Sequence, residues 1–134
     1  MAAFLRSTGQ SAWVGSELEI FAGLSLTSLI LMVTTLVIFV TEITSNIATA
    51  AAVIPVLIAL AESLGIDPVV LAAPVALAAS CAFMLPMATG PNAVVYASGG
   101  VSLPTMARAG LRLNLIGIAV ITALSLYLAP LVWS

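Results

Sequence analysis

One polar interruption in an apolar sequence limits the folds open to this chain more than any other feature. Residues 41–49, TEITSNIAT, place hydroxyls, an amide and a carboxylate between two apolar runs, residues 20–40 and 50–61. Hydrocarbon cannot hydrogen-bond such groups, so leaving them unpaired inside a membrane is costly. Polar groups at membrane depth therefore indicate a cavity, a packed polar interior or a ligand.

The composition indicates an integral membrane protein. The chain of 134 residues is 63% hydrophobic and 6% charged, whereas a soluble domain carries about 25% charged residues. It lacks a basic patch, which argues against nucleic acid as a partner. It shows neither a nucleophile–base pair nor a metal-ligand cluster, so we expect no enzyme activity. Cys81 is the single cysteine and lies in an apolar run, as a core residue would.

The two apolar runs predict a re-entrant helical hairpin over residues 20–61. The first run is long enough to cross a bilayer, which takes about 20 residues. The return run, residues 50–61, would rise only about 18 Å. A return helix that is too short to cross, after a polar tip, is typical of a re-entrant hairpin. Residues 1–19 contain Trp13 and predict a segment at the membrane edge.

A second interruption, LPMATGPN at residues 85–92, predicts a broken transmembrane helix over residues 68–98. One glycine and two prolines make a continuous helix through this stretch unfavourable. Before it, Gly65 is expected to end the preceding helix in a surface loop. The overall expectation is an all-α membrane protein.

Residues 105–133 predict an interfacial turn followed by the last transmembrane helix. Arg108 and Arg112 would mark its cytoplasmic end and Trp133 the opposite interface.

Each interruption exposes helix ends that can bind ions. An ending half-helix offers free carbonyls, and a starting half-helix offers free N–H groups. Carbonyls together with nearby side-chain oxygens suit Na⁺; those oxygens belong to Thr41, Thr44, Ser45 and Asn46. The N–H groups of residues 48–50 and 92–94 suit an anion. Secondary transporters with discontinuous helices use this arrangement.

Two stretches at this separation resemble one known family, the divalent anion–sodium symporters that carry dicarboxylates, citrate and sulfate. Residues 41–51 are similar to the second of the family's two hairpin tips, and residues 80–93 to the broken-helix loop that faces it. The similarity continues through residues 106–110 and 113–115. It implies sodium-coupled symport of a divalent anion, most concretely a dicarboxylate such as succinate or malate. It also implies a multi-pass protein of the cell membrane, in bacteria the inner membrane.

The resemblance assigns a sodium site and a substrate site by position. The sodium ligands would be Thr41, Thr44, Asn46 and Ala88, with Thr44 and Ala88 contributing carbonyls. The substrate contacts would be Ser45, Asn46, Thr89 and Gly90. The chain departs from the family at two positions. Ile47 stands where the family has a threonine that contacts substrate, and Gly90 stands where it has a proline, which we expect to loosen the loop.

Such carriers are several times longer and contain a first inverted repeat with its own tip. The resemblance thus implies that residues 1–134 are the C-terminal portion of a transport domain, half of an inverted-repeat transporter. Expected partners are the small anion, sodium ions, lipid, and a missing N-terminal repeat or second copy in a homodimer. Sodium would be the coupling ion, and no other cofactor is expected. The alternative is a non-transporting membrane subunit or truncated product that only packs with other helices.

The sequence allows two interpretations of Glu42. The favoured one is structural, with the carboxylate hydrogen-bonded to the missing half of the transporter. The other is direct ion binding, because an acid at membrane depth is a functional candidate by default.

Overall fold

The computed structural model of the chain describes residues 25–132, with side chains described as far as residue 128. Over this range the chain forms helices and no strands, as predicted. The helices, numbered in chain order, are α1 Leu26–Thr41, α2 Asn46–Leu64, α3 Val69–Ala78, α4 Gly90–Ala97 and α5 Leu103–Val132. The predicted membrane-edge segment, residues 1–19, and the predicted interfacial Trp133 lie outside the described residues.

Helices α1 and α2 form a hairpin whose ends are set by local capping. The Ser25 hydroxyl accepts the Ser28 N–H at 3.3 Å at the start of α1. The Ser45 hydroxyl accepts the Ala48 N–H at 3.4 Å at the start of α2. Helix α2 ends at Gly65, which has φ 69° and takes the left-handed conformation that glycine tolerates. The helix end predicted at Gly65 is confirmed.

The return helix is longer than the sequence indicated. Helix α2 has 19 residues and contains an 18-residue window with a mean hydropathy of 2.1, so it is long and apolar enough to cross a membrane. The prediction of a short return over residues 50–61 was wrong because its polar flanks are helical. Asn46 and Thr49 lie in the first turn, where the Thr49 hydroxyl bonds back to the Ser45 carbonyl at 3.0 Å. The length of α2 therefore no longer supports a re-entrant hairpin, and the re-entrant course stays a prediction.

The predicted break in the second helix is present and wider than expected. Helix α3 ends at Ala78 rather than at residue 85, and the chain is non-helical until Thr89. We call residues 79–89 the unwound segment. Thr89 caps α4, and Pro91 lies in the first turn of α4, where a missing N–H costs nothing.

The last helix also begins earlier than predicted. Helix α5 has 30 residues and contains both Arg108 and Arg112, so the interfacial turn expected near residue 105 is helical. Pro104 fits because it occupies the first turn, where helices accept proline. Within residues 103–128, an 18-residue window has a mean hydropathy of 1.8, enough for a membrane span.

The core lies where α3 packs against α1, α2 and α5, and where α1 packs against α5. Its fully buried side chains include Leu29, Ile30, Val37, Ile38, Leu71 and Val75. Helix α4 buries none of its residues. Large apolar side chains are also exposed, Leu36 at 60% among them, as a surface facing lipid or other helices would be. This packing holds the end of α1 beside the unwound segment.

Candidate functional site

Thr41 joins the two polar interruptions. It is the last residue of α1 and is 0% exposed. Its hydroxyl lies 2.8 Å from the Asn46 Oδ1 and 3.0 Å from the Ala79 carbonyl oxygen. A hydroxyl has one proton to donate, so these two acceptors share it. The hairpin and the unwound segment thus meet at a small set of neutral oxygens.

Glu42 makes the second and larger connection between the same elements. Glu42 is buried, with 3% of its surface exposed. It accepts the backbone N–H groups of Phe83, Met84 and Leu85 at 2.8–3.1 Å. It also accepts the Asn114 Nδ2–H at 2.7 Å. Hydrogen bonds to a charged group contribute about 1.5–3 kcal/mol each, so the carboxylate replaces the helical acceptors that these N–H groups lack.

The structural reading of Glu42 is therefore supported, but its expected partner was wrong. The carboxylate bonds to the unwound segment and to α5 of this chain, rather than to a missing half of a transporter. Both carboxylate oxygens already accept N–H groups. A set of N–H donors aimed at the same oxygens disfavours a bound cation.

Asn92 fastens the far end of the unwound segment. Its Nδ2 donates to the Ala82 carbonyl at 2.9 Å and to the Leu85 carbonyl at 3.1 Å. Two carbonyls that no longer belong to a helix thereby gain a donor.

The structure brings together two of the four residues assigned to sodium, Thr41 and Asn46. The Thr44 hydroxyl donates to the Val40 carbonyl at 2.9 Å and contacts the Thr49 hydroxyl. The Thr44 hydroxyl is thus already hydrogen-bonded, and the Thr44 carbonyl is the oxygen of this residue that remains for an ion. Neither the Thr44 carbonyl nor the Ala88 carbonyl accepts a hydrogen bond from a described residue. Convergence of all four residues on one ion stays a prediction.

The residues assigned to substrate lie at the starts of two helices. Ser45 caps α2, and Thr89 caps α4 by accepting the Asn92 N–H at 3.3 Å. A helix start carries partial positive charge, which favours an anion. Gly90 is the first residue of α4, so it belongs to a helix rather than to the loop that we expected it to loosen.

The free N–H groups differ from those predicted. Those of Ala48 and Asn92 are bonded to the capping hydroxyls, and those of Thr49 and Ala93 to capping carbonyls. The N–H groups just before them, at residues 46, 47 and 90, make no bond to a described residue. At residue 47 the isoleucine therefore still offers its backbone N–H.

The hairpin tip faces outward. Ile47 is 82% exposed, and Ser45 is exposed as well. Among the described residues, no hydrogen bond joins residues 45–47 to residues 88–90. The hairpin instead bonds to residues 79–85 through Thr41 and Glu42. The proximity of the tip to Ala88 and Thr89 stays a prediction.

Sequence reasoning missed one residue of this cluster, Asn114. It was part of a stretch that carried the family resemblance, but it received no role. The signal was an amide within an apolar helix, which is as unusual at membrane depth as the acid it pairs with.

Two polar interruptions, bonded to each other inside an apolar helical bundle, are typical of membrane proteins with discontinuous helices. Comparison with known families identifies the particular family. The family model described as the sodium:sulfate symporter transmembrane region matches residues 1–134, and the chain belongs to this family.

Individual relatives agree with this membership. The sodium-dependent dicarboxylate transporter SdcS of Staphylococcus saprophyticus is 40% identical over 126 residues, which cover 94% of this chain and 24% of that protein. SdcS of Staphylococcus aureus strain MRSA252 is 39% identical over 128 residues, covering 96% of this chain and 25% of that protein. The chain thus spans about a quarter of the length of these curated relatives.

Proposed function

We propose that this chain supplies one half of the ion and substrate site of a sodium-coupled symporter for a divalent anion. The substrate is most concretely a dicarboxylate such as succinate or malate, as the names of the relatives suggest. One observation carries the proposal. The Thr41 hydroxyl contacts both Asn46 and the Ala79 carbonyl, so the two interruptions share a cluster of oxygens.

The sodium ion would bind at the oxygens around Thr41. Neutral hydroxyl, amide and carbonyl oxygens are hard ligands, of the kind that coordinate the coupling ion at unwound helices. The free carbonyls of Thr44 and Ala88 would complete the set with Thr41 and Asn46. Because the Glu42 carboxylate is saturated by N–H donors, it would act on the ion only through the segment it holds.

The anion would bind at the starts of α2 and α4, through Ser45, Asn46, Thr89 and the N–H of Gly90. Residues 25–107 contain no lysine or arginine. The negative charge would therefore be balanced by helix dipoles and by sodium bound alongside. This provides a physical reason for coupling: a divalent anion binds poorly here until the cations are present.

The remainder of the site would come from other membrane segments of the same transporter, a first inverted repeat or a second copy. The assembly would be a homodimer that crosses the cell membrane several times, in bacteria the inner membrane. This chain would belong mainly to the moving transport domain.

Replacing Asn46 by alanine tests the proposal in the transporter that carries this chain. Asn46→Ala removes the oxygen that faces Thr41 and leaves a helix start that still folds. We expect sodium-dependent succinate uptake to fall at least about tenfold, as loss of one well-placed polar contact would produce. Ser63→Ala is the matched control, because the Ser63 hydroxyl bonds only to the Leu60 carbonyl at the other end of α2. Uptake with unchanged sodium dependence, at equal membrane abundance, would remove Asn46 from the site.

A further inference from the structure

Three elements converge on the Glu42 carboxylate: the end of α1, the unwound segment and α5. We propose that Asn114 and Gly110 of α5 are positioning residues that fix the unwound segment, Asn114 through Glu42 and Gly110 by direct backbone contact. In this way they would set the place of the Ala88 carbonyl. The inference rests on the proposed function, since it concerns the geometry of the sodium site. We call Glu42, Gly110 and Asn114 together the α5 clasp.

Asn114 is a dedicated partner of the carboxylate. It is 0% exposed, and its Nδ2 donates to the Glu42 Oε1 at 2.7 Å, the shortest bond that Glu42 makes. The Asn114 Oδ1 is buried and has no hydrogen-bond partner among the described residues. Burying an amide for a single bond is costly where a leucine would pack without penalty. The bond to Glu42 therefore explains why an amide, rather than an apolar side chain, occupies position 114.

Gly110 brings the backbone of α5 against the same segment. It lies one helical turn before Asn114, on the same face of α5. A Cβ atom at residue 110 would lie 2.5 Å from the Met84 Cα, and closer still to the Phe83 carbonyl oxygen. Both neighbours are backbone atoms, which cannot move aside as a flexible side chain would. Glycine is therefore required for this approach.

The backbone at residues 83–84 is consequently held between Glu42 and Gly110. The next anchor along the chain is Asn92, which bonds back to Ala82 and Leu85. Ala88 lies between these two anchors. If the first anchor is lost, the segment gains freedom and the Ala88 carbonyl no longer has a fixed position.

Cys81 provides a native reporter of this motion. Its sulfur is partly buried, and it lies 3.7 Å from where a Cβ atom on Gly117 of α5 would be. Release of the segment from α5 would expose the thiol. Reaction with a maleimide, followed by mass spectrometry of the peptide that contains Cys81, measures this in the intact membrane-embedded transporter.

We expect Glu42→Gln and Asn114→Leu each to raise the labelling rate of Cys81 about tenfold, as loss of a charge-assisted bond would produce. Gly110→Ala should do the same by displacing the segment. Ser125→Ala is the control, because among the described residues the Ser125 hydroxyl bonds only to the Ile121 carbonyl, within α5. It should leave the rate unchanged.

Uptake kinetics separate positioning from simple structural loss. Fewer inserted molecules lower the maximal uptake rate alone. A displaced Ala88 carbonyl should raise the sodium concentration for half-maximal uptake, by about threefold or more. The double variant Glu42→Gln/Asn114→Asp keeps an amide–carboxylate pair between α1 and α5, but removes the charge that holds residues 83–85. Under the proposal it does not restore either measurement.

Two outcomes would overturn the α5 clasp. One is an unchanged Cys81 labelling rate in Asn114→Leu and Gly110→Ala, whatever happens to uptake. The other is rescue of labelling by the double variant, which would reduce Glu42 and Asn114 to a helix-pairing contact. If Glu42→Gln fails to insert, Asn114→Leu and Gly110→Ala decide the question. If labelling rises as expected but the unsubstituted transporter shows no sodium-dependent uptake, the clasp stands and the proposed function fails.

Discussion

At the scale of residues, the site depends on side chains that hydrogen-bond to more than one structural element. Thr41 ends α1, faces Asn46 at the start of α2 and reaches the Ala79 carbonyl after α3. Glu42, the next residue, accepts three successive N–H groups of the unwound segment. A break in a helix is tolerable in an apolar environment only when such partners exist.

Substituting Thr41 tests whether its hydroxyl matters to ion binding. Thr41→Val keeps the shape of the side chain and leaves Asn46 and the Ala79 carbonyl without their shared donor. We expect sodium-dependent uptake to fall about tenfold, because unpaired buried acceptors cost about 1–3 kcal/mol.

Thr35→Val is the matched control for this test, since the Thr35 hydroxyl bonds only within α1, to the Leu31 carbonyl at 2.7 Å. Equal effects of the two substitutions would assign Thr41 a general role in the helix rather than a role at the site.

Residue types could be predicted from the sequence more readily than their partners. A carboxylate and an amide that lie close together between apolar runs mark a polar site in any membrane protein. Residues 41–49 could be singled out for this reason. The partner of Glu42 could not be predicted, because it consists of backbone N–H groups, which every residue has. Asn114 becomes meaningful only once α5 is known to cross the end of α1.

At the scale of elements, the helix lengths differ from prediction for identifiable reasons. Capping decided the start of α2: Ser45 ends the turn and Asn46 and Thr49 enter the helix, although both are polar. Tertiary bonding decided the end of α3, which contains Pro74 but stops well before Pro86 because Glu42 holds residues 83–85. The break itself, the helix end at Gly65 and the all-helical class followed from glycine, proline and hydropathy alone.

The cap at Gly65 provides a test at this scale. Gly65→Ala should lower the midpoint of thermal unfolding in detergent, because a side chain in the left-handed region costs about 1–2 kcal/mol. Gly65 has φ 69°, and a Cβ there would meet no atom within 4 Å, so strain would be the only cause.

Gly100→Ala is the control for Gly65→Ala, because its Cβ would make only an ordinary contact 3.6 Å from the Ser98 Oγ, without a positive φ. A lower midpoint in the control and not in Gly65→Ala would contradict the assigned cap.

At the scale of the whole molecule, the chain is shorter than its relatives, and its described helices expose much apolar surface. It matches its relatives over about a quarter of their length. Its hairpin tip is exposed at Ile47, and large apolar side chains cover much of the helix surface. These surfaces suit contact with further helices as well as lipid. Under the proposed function, the tip and the unwound segment would close on an anion only when the other half of the transporter is present.

Reconstitution in liposomes tests this central claim most directly. Purified chain of known oligomeric state would be compared with the longer transporter that is proposed to contain it. Both would be given an inward sodium gradient, with labelled succinate outside and sulfate and citrate as further substrates. We expect sodium-driven accumulation by the transporter and none by the monomeric chain, because alternating access requires two halves around one site. Robust sodium-driven accumulation by the chain as a monomer would contradict the account.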